Sequence, residues 1–243
     1  MPEQKILHVD IKTKSSVDLG GTNAYCHSES PDFKIQLISY AYNDGNVHTI
    51  DLEHGEKIPG SLVLDLTNDA VLKMAYDASF ERICLSKKFL RQDDYLHPKA
   101  WRCTKIFARY FNIPGSNNIG ELSKALGVSF NENNYLKGTL LTRRYSKSFS
   151  DAEKTVPVDD DWIAYKEFSK QTVLLERSIW QSMYKSLLKA PSMYYPDLFR
   201  EYAVSERIND RGIKLDIPFA QKMAQLAFDF KEQRSVESEL LLD

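Results

Sequence analysis

Lys73-Met74-Ala75-Tyr76-Asp77-Ala78-Ser79-Phe80-Glu81-Arg82 is the stretch on which the fold turns. Residues 71–76 are short and apolar enough for a strand, and residues 79–89 continue at helical spacing, so one element hands over to the next within two positions. Asp77 and Glu81 stand at that junction, where a carboxylate can be aimed across a sheet edge. Asp77 serves equally as a helix N-cap, and Glu81 as an acid complementing the first turn of a helix. Upstream, Ile6-Leu7-His8-Val9-Asp10-Ile11-Lys12-Thr13 is rich in β-formers and reads as a strand. Residues two apart in a strand share a face, so Asp10 and Lys12 look the same way. Asp10 alone is also what a strand-terminating acid looks like.

Between these stretches, residues 35–43 and 47–52 read as two strands joined at Asp44-Gly45-Asn46, a hairpin. A helix lies within 60–68, which gives the order β-β-β-α-β-α. Helices are expected over 101–111 and 118–126, the second closed by Gly127. A basic segment, 137–147, leads into a polar loop ending at Pro157. Residues 159–188 are the longest helical pattern, with acids at its start and one inward stripe of Tyr165, Phe168, Thr172, Leu175 and Ile179. Pro191 and Pro196 mark a boundary. A helix near 197–207, a turn at Arg211-Gly212, a short strand and a helix from Ile217 follow, with Asp216 as cap and Pro218 in the first turn. Phe219, Met223, Leu226, Ala227 and Phe230 share one face of that last helix.

The 243 residues are 42% hydrophobic and 27% charged, with a formal net charge of −2, so nothing global drives the chain onto nucleic acid. A local cluster does offer itself. Lys137, Arg143, Arg144 and Lys147, with Tyr145 and Phe149 interleaved, suit phosphate contacts and base stacking, although a solvated surface has the same composition. Cys26, Cys84 and Cys103 form no CxxC pair and read as buried thiols of a reducing compartment. No leader-like or membrane-length apolar run interrupts this picture, so a cytoplasmic protein without a membrane partner is expected. The histidines show no metal-ligand spacing.

Several ordered segments together resemble the N-terminal 3′–5′ exonuclease region of phage-type family A DNA polymerases, a DEDD branch of the RNase H-like fold. That family has Asp-Ile-Glu-Thr in its first strand, where this chain reads Asp10-Ile11-Lys12-Thr13. Its second motif resembles His-Asn-Ala-x-Phe-Glu-Arg, matched by Tyr76-Asp77-Ala78-Ser79-Phe80-Glu81-Arg82. Its third, Tyr-x-x-x-Asp, is matched by Phe168-Ser169-Lys170-Gln171-Thr172. Trp101-Arg102-Cys103-Thr104 fits as well, and residues 208–216 resemble the linker into the polymerase body. The likeness implies an α/β fold with a mixed sheet flanked by helices and a short, mostly helical C-terminal appendage. It divides the chain into an exonuclease-like domain, 1–190, and a linker with the start of a polymerase region, 191–243.

The resemblance further implies Mg2+ or Mn2+ held by carboxylates, with Asp10 and Glu81 as ligands and Asp77 as a third candidate. Three positions depart from the family pattern. Lys12 stands for a glutamate, Thr172 for an aspartate, and Phe168 for a tyrosine that positions water. An ammonium about 5 Å from a divalent ion repels it by roughly 6–7 kcal/mol at an effective dielectric of 20, or else salt-bridges Asp10 in place of an ion. Three readings follow. The chain is a catalytically silent domain that binds DNA or acts as scaffold, a working but impaired 3′–5′ exonuclease, or a prophage relic. Single-stranded DNA or a DNA 3′ end is the implied partner, together with a separately encoded polymerase part. Polymerisation by this chain alone is not expected, since the carboxylate motifs it needs are missing.

Overall fold

The computed structural model describes residues 4–91, 93–146, 160–187 and 195–240. Strand β1 (Ile6–Lys14) is the centre of a five-stranded mixed sheet. It pairs antiparallel with β2 (Lys34–Tyr42), which pairs antiparallel with β3 (His48–Asp51). On its other side it runs parallel to β4 (Leu72–Ala75), and β4 runs parallel to β5 (Trp101–Cys103), giving the order β3-β2-β1-β4-β5. The parallel pairing brings the carboxyl ends of β1 and β4 to one edge of the sheet.

Helices α1 (Ala24–Glu29), α2 (Gly60–Thr67) and α3 (Ala78–Phe89) are interleaved with the strands. After β5 come α4 (Thr104–Tyr110), α5 (Ile119–Ala125), α6 (Glu132–Tyr145) and the long α7 (Asp160–Leu187). Leu7, Val9 and Ile11 of β1 join one hydrophobic cluster with Leu62, Leu66, Leu85 and Trp101. The alternate residues His8, Asp10 and Lys12 face α7, whose Tyr165, Leu175 and Ile179 build a second cluster with Phe107 and Leu122. Both faces of β1 are therefore covered, and a polar residue on it must find its partner inside the protein.

Four local expectations change. Residues 101–103 are a strand, because Trp101 and Cys103 are buried in register with Lys73 and Ala75 of β4; three residues are too few to show a period of two. The basic segment is helical as far as it is described: Asn131 caps α6 by accepting from the Asn134 amide, and Tyr135, Gly138 and Leu141 face inward. The polar loop to Pro157 lies outside the described residues, as does Pro191. Helix α1, capped by Asn23, carries no apolar stripe that would announce it, and its Cys26 is exposed rather than buried. Residues 212–216 form no strand, and Ile213 and Leu215 stand 86% and 70% exposed.

The chain divides into two compact units, 1–207 and 208–243. Helix α8 (Tyr195–Arg211) belongs mainly to the first, in which Glu206 is bonded to Arg82. The second holds α9 (Ile217–Leu240), where Asp216 accepts from the Phe219 amide as an N-cap.

Candidate functional site

Helix α7 is fixed along β1 from both ends. Near its start, Asp51 of β3 accepts from Trp162 Nε1 at 2.8 Å and pairs with Lys166 at 3.2 Å. Further along, Arg177 donates to the carbonyls of Asn43 and Gly45 in the β2–β3 turn. Held in this way, α7 lays Phe168, Ser169, Thr172 and Glu176 over the polar face of β1.

Asp10 meets Lys12 on that face, as the period-two argument requires. The Lys12 ammonium lies 2.8 Å from Asp10 Oδ2 and 3.1 Å from Oδ1, with both side chains about a tenth exposed. Ser169 donates to Oδ2 at 3.0 Å, and Ser39 of β2 donates in turn to Ser169. The ammonium also sits 4.7 Å from the centre of the Phe168 ring, a cation–π contact that tyrosine's hydroxyl is not needed for. Burial raises the Asp10 carboxyl above its usual range, and the charge and hydrogen bond of Lys12 work against that rise. Gly138 of α6 is required here, because a Cβ at that position would fall 2.0 Å from Phe168 Cγ.

Glu81 is buried in the first turn of α3, with its Oε2 lacking any hydrogen-bond partner. Burial, then the charges of Asp10 and Asp77, hold its carboxyl well above the usual carboxylate range. Asp77 occupies the N-cap position but makes no capping bond; its carboxylate pairs with Lys105 at 2.5 Å. Thr172 is buried and donates to the Phe168 carbonyl one turn back. Asp10, Lys12, Phe168, Thr172 and Glu81 are thus brought to one place, whereas Asp77 is turned to another partner. Of the basic cluster, Lys137 and Arg144 both pair with Asp161, at 2.9 and 3.0 Å, and Arg143 is exposed. Lys147 lies outside the described residues.

Sequence reasoning missed the polar support of this face. Glu176 accepts from Thr104 at 2.6 Å and lies 2.6 Å from His8 Nδ1, all three buried. The signal was present: Glu176 follows Thr172 by one turn, which places an acid on the inward stripe of α7.

The donors present do not fit paired divalent ions. Such ions want several anionic oxygens, and both oxygens of Asp10 are already taken by Lys12 and Ser169. Thr172 supplies a hydroxyl committed to backbone, and of Asp10, Thr172 and Glu81 it is Glu81 that keeps an unsatisfied acceptor, Oε2. Among the described residues no group of three or more His, Cys, Asp or Glu side chains is disposed to hold a metal.

No family profile matches the chain. A curated DNA polymerase of Bacillus phage SP02 is 34% identical over 224 residues, covering 88% of this chain. Most of this chain is similar to one part of a phage DNA polymerase. It spans about a third of that polymerase, 32% of its length. The sequence-based resemblance to a polymerase's exonuclease region is matched in the fold by solved nucleases. Brucella melitensis NrnC bound to pGG aligns with a TM-score of 0.50 at 17% identity, over 85% of this chain and 81% of that one. The same protein with bound Mg2+ aligns at 0.50 and 16%, over 87% and 89%. Escherichia coli RNase D, an exoribonuclease involved in structured RNA processing, aligns at 0.50 and 15%, over 86% of this chain and 46% of its own. At such identities the likeness is one of fold: the chain has an RNase H-like fold, a mixed five-stranded sheet flanked by helices. Among the described residues no helix is long and apolar enough to cross a membrane.

Proposed function

We propose that this chain is the exonuclease-like part of a phage-type DNA polymerase whose cation site has been replaced by an internal ion pair. It is catalytically silent or strongly impaired, and it serves as a DNA-binding or scaffolding domain. Residues 1–190 form the exonuclease-like domain, and 191–243 the linker and the beginning of a polymerase region. The observation that carries this reading is the Lys12 ammonium on both oxygens of Asp10, the position from which a cation would have to displace it. NrnC is described with pGG and with Mg2+. By extension, single-stranded DNA or a DNA 3′ end is the partner here, and Mg2+ or Mn2+ the ion that the ancestral site used.

Helix α9 supports the scaffold half of the reading. Phe219, Met223, Leu226 and Phe230 are exposed on one side, and Ile217 and Phe228 are exposed on nearly the opposite side at 3.6 residues per turn. The single stripe expected from sequence is therefore half of the pattern. Apolar side chains exposed on two sides of one helix call for covering surfaces on both, and the two-thirds of the phage polymerase that this chain does not span would supply them.

A second reading has one observation in its favour. The bare Oε2 of Glu81 is an acceptor awaiting a partner, and a single ion between Glu81 and Asp10 would leave a weak 3′–5′ exonuclease. The two readings separate on labelled single-stranded DNA. With Mg2+ or Mn2+ the unmodified chain is expected to leave a 3′-labelled oligonucleotide intact while Lys12→Glu with Thr172→Asp trims it. Slow metal-dependent trimming by the unmodified chain that Glu81→Gln abolishes would establish the second reading, and robust trimming would refute the replaced cation site.

A further inference from the structure

A second place on the first unit gathers cations that nothing described so far uses. A cavity of about 480 Å3 opens between the start of β2 and the last turn of α3, lined by Lys34, Lys87 and Lys88. Among the described residues none of the three ammonium groups enters a hydrogen bond or an ion pair. In this they differ from Lys137 and Arg144, which share Asp161. Lys87 and Lys88 near a helix C-terminus have an ordinary reason to be basic, since they complement the helix dipole. That reason does not extend to Lys34, which comes from a different element, nor does it make a cavity. Glu53 is the one acid in the lining, so three ammoniums against one carboxylate leave an excess of two positive charges.

The walls add a second kind of contact. Phe33, Ile35 and Leu52 give one apolar side, while the Ser28 and Ser30 hydroxyls on the wall donate to the Tyr25 carbonyl and to Asp32, which leaves the lysines as the donors for a ligand. Small-ligand sites commonly have this size and this mixture of apolar wall and few polar groups. Lysine binds phosphate as a compact point charge with rotatable donors. The cavity is also distinct from the candidate site. Lys34 stands five residues along β2 from Ser39, the register partner of Asp10, which is about 17 Å at 3.4 Å per residue.

We infer that the Lys34–Lys87–Lys88 cavity binds the phosphate group of a nucleotide, with the apolar wall receiving part of the nucleoside. This goes beyond the function proposed above and does not depend on it. A dianionic phosphate relieves the mutual repulsion of the lysines, and because the groups are exposed the attraction weakens as salt is added.

The test is equilibrium binding of deoxyadenosine monophosphate to the full chain at low salt. Saturable binding is expected, displaced by inorganic phosphate and absent for deoxyadenosine. Lys34→Gln should weaken it by about fivefold, and Lys34→Gln with Lys87→Gln and Lys88→Gln should abolish it, the loss of one exposed charge contact being about that large. All three positions are exposed, so thermal unfolding should show the variants folded. A 5′-phosphorylated oligothymidine that competes assigns the phosphate to a DNA strand, and one that does not assigns it to a free nucleotide; either supports the site. Binding that survives in the triple variant, or no saturable binding at all, overturns it. Binding lost instead in Asp10→Asn with Lys12→Met would place the ligand at the candidate site, overturning this inference while leaving the proposed function standing.

Discussion

Lys12→Met tests the central ion pair through stability alone. The substitution keeps the length and the apolar stem of the side chain but leaves the Asp10 carboxylate with only Ser169 as a partner. Breaking one half of a buried pair costs about 3–5 kcal/mol, but Asp10 has an escape, which is to take up a proton. At pH 7 that route costs about 4 kcal/mol, from 1.36 kcal/mol per unit between pH 7 and the ordinary value of 3.8. The penalty should therefore reach at most about 4 kcal/mol at pH 7 and fall to at most about 1.6 kcal/mol at pH 5. The sign follows from linkage. Without Lys12 the folded Asp10 has a raised affinity for protons, so stability is lost as pH rises above the unfolded value towards the folded one. Urea unfolding at both pH values, with Asp10→Asn and the double variant Asp10→Asn with Lys12→Met completing the cycle, measures these terms. The double variant should lie within about 1 kcal/mol of the unmodified chain, since paired removal leaves no orphaned charge. A Lys12→Met penalty below about 1 kcal/mol at pH 7, or one that does not shrink at pH 5, would refute a buried ion pair.

Two further substitutions probe the surroundings. Lys73 is buried in β4, and burial pushes its ammonium down to about 8; Lys73→Met should stabilise the fold by about 2 kcal/mol at pH 7, after allowance for screening and for its bond to the Asn68 carbonyl. Because the folded value lies below the unfolded 10.5, that gain should persist below pH 8 and vanish as pH climbs through the interval, which denaturant titrations across it would detect. Glycine to alanine inside a helix ordinarily stabilises by up to about 1 kcal/mol, but Gly138→Ala should destabilise by about 2–3 kcal/mol because the methyl would meet the Phe168 ring; a raised melting temperature would show that the ring can yield.

The sequence was legible where a pattern was long or chemically singular. Strand β1, the hairpin, α3 and the 28-residue α7 followed from period and turn chemistry, and they are the elements that assemble the candidate site. The same face rule that paired Asp10 with Lys12 held because β1 is regular there, with its irregularity falling just beyond, between Lys12 and Thr13. Strand β5 was hidden because its three residues are strand by pairing with β4 and not by any pattern of their own. Helix α6 was hidden by Gly138, a poor helix former that packing against Phe168 demands. Contacts such as Glu176 with His8, 168 positions apart, depend on how α7 lies across the sheet, and no local window contains that information.

The lysine on Asp10 also bears on how such a domain can evolve. Lys12→Glu alone would set a third carboxyl group beside Asp10 and Glu81 and remove the ammonium that pairs with Asp10. Thr172→Asp alone would put a further acid into a buried place, where the present hydroxyl donates to a backbone carbonyl that a carboxylate could not bond. Each single step back is uphill before any gain arrives, so the present arrangement works as a ratchet: recovery needs both changes together.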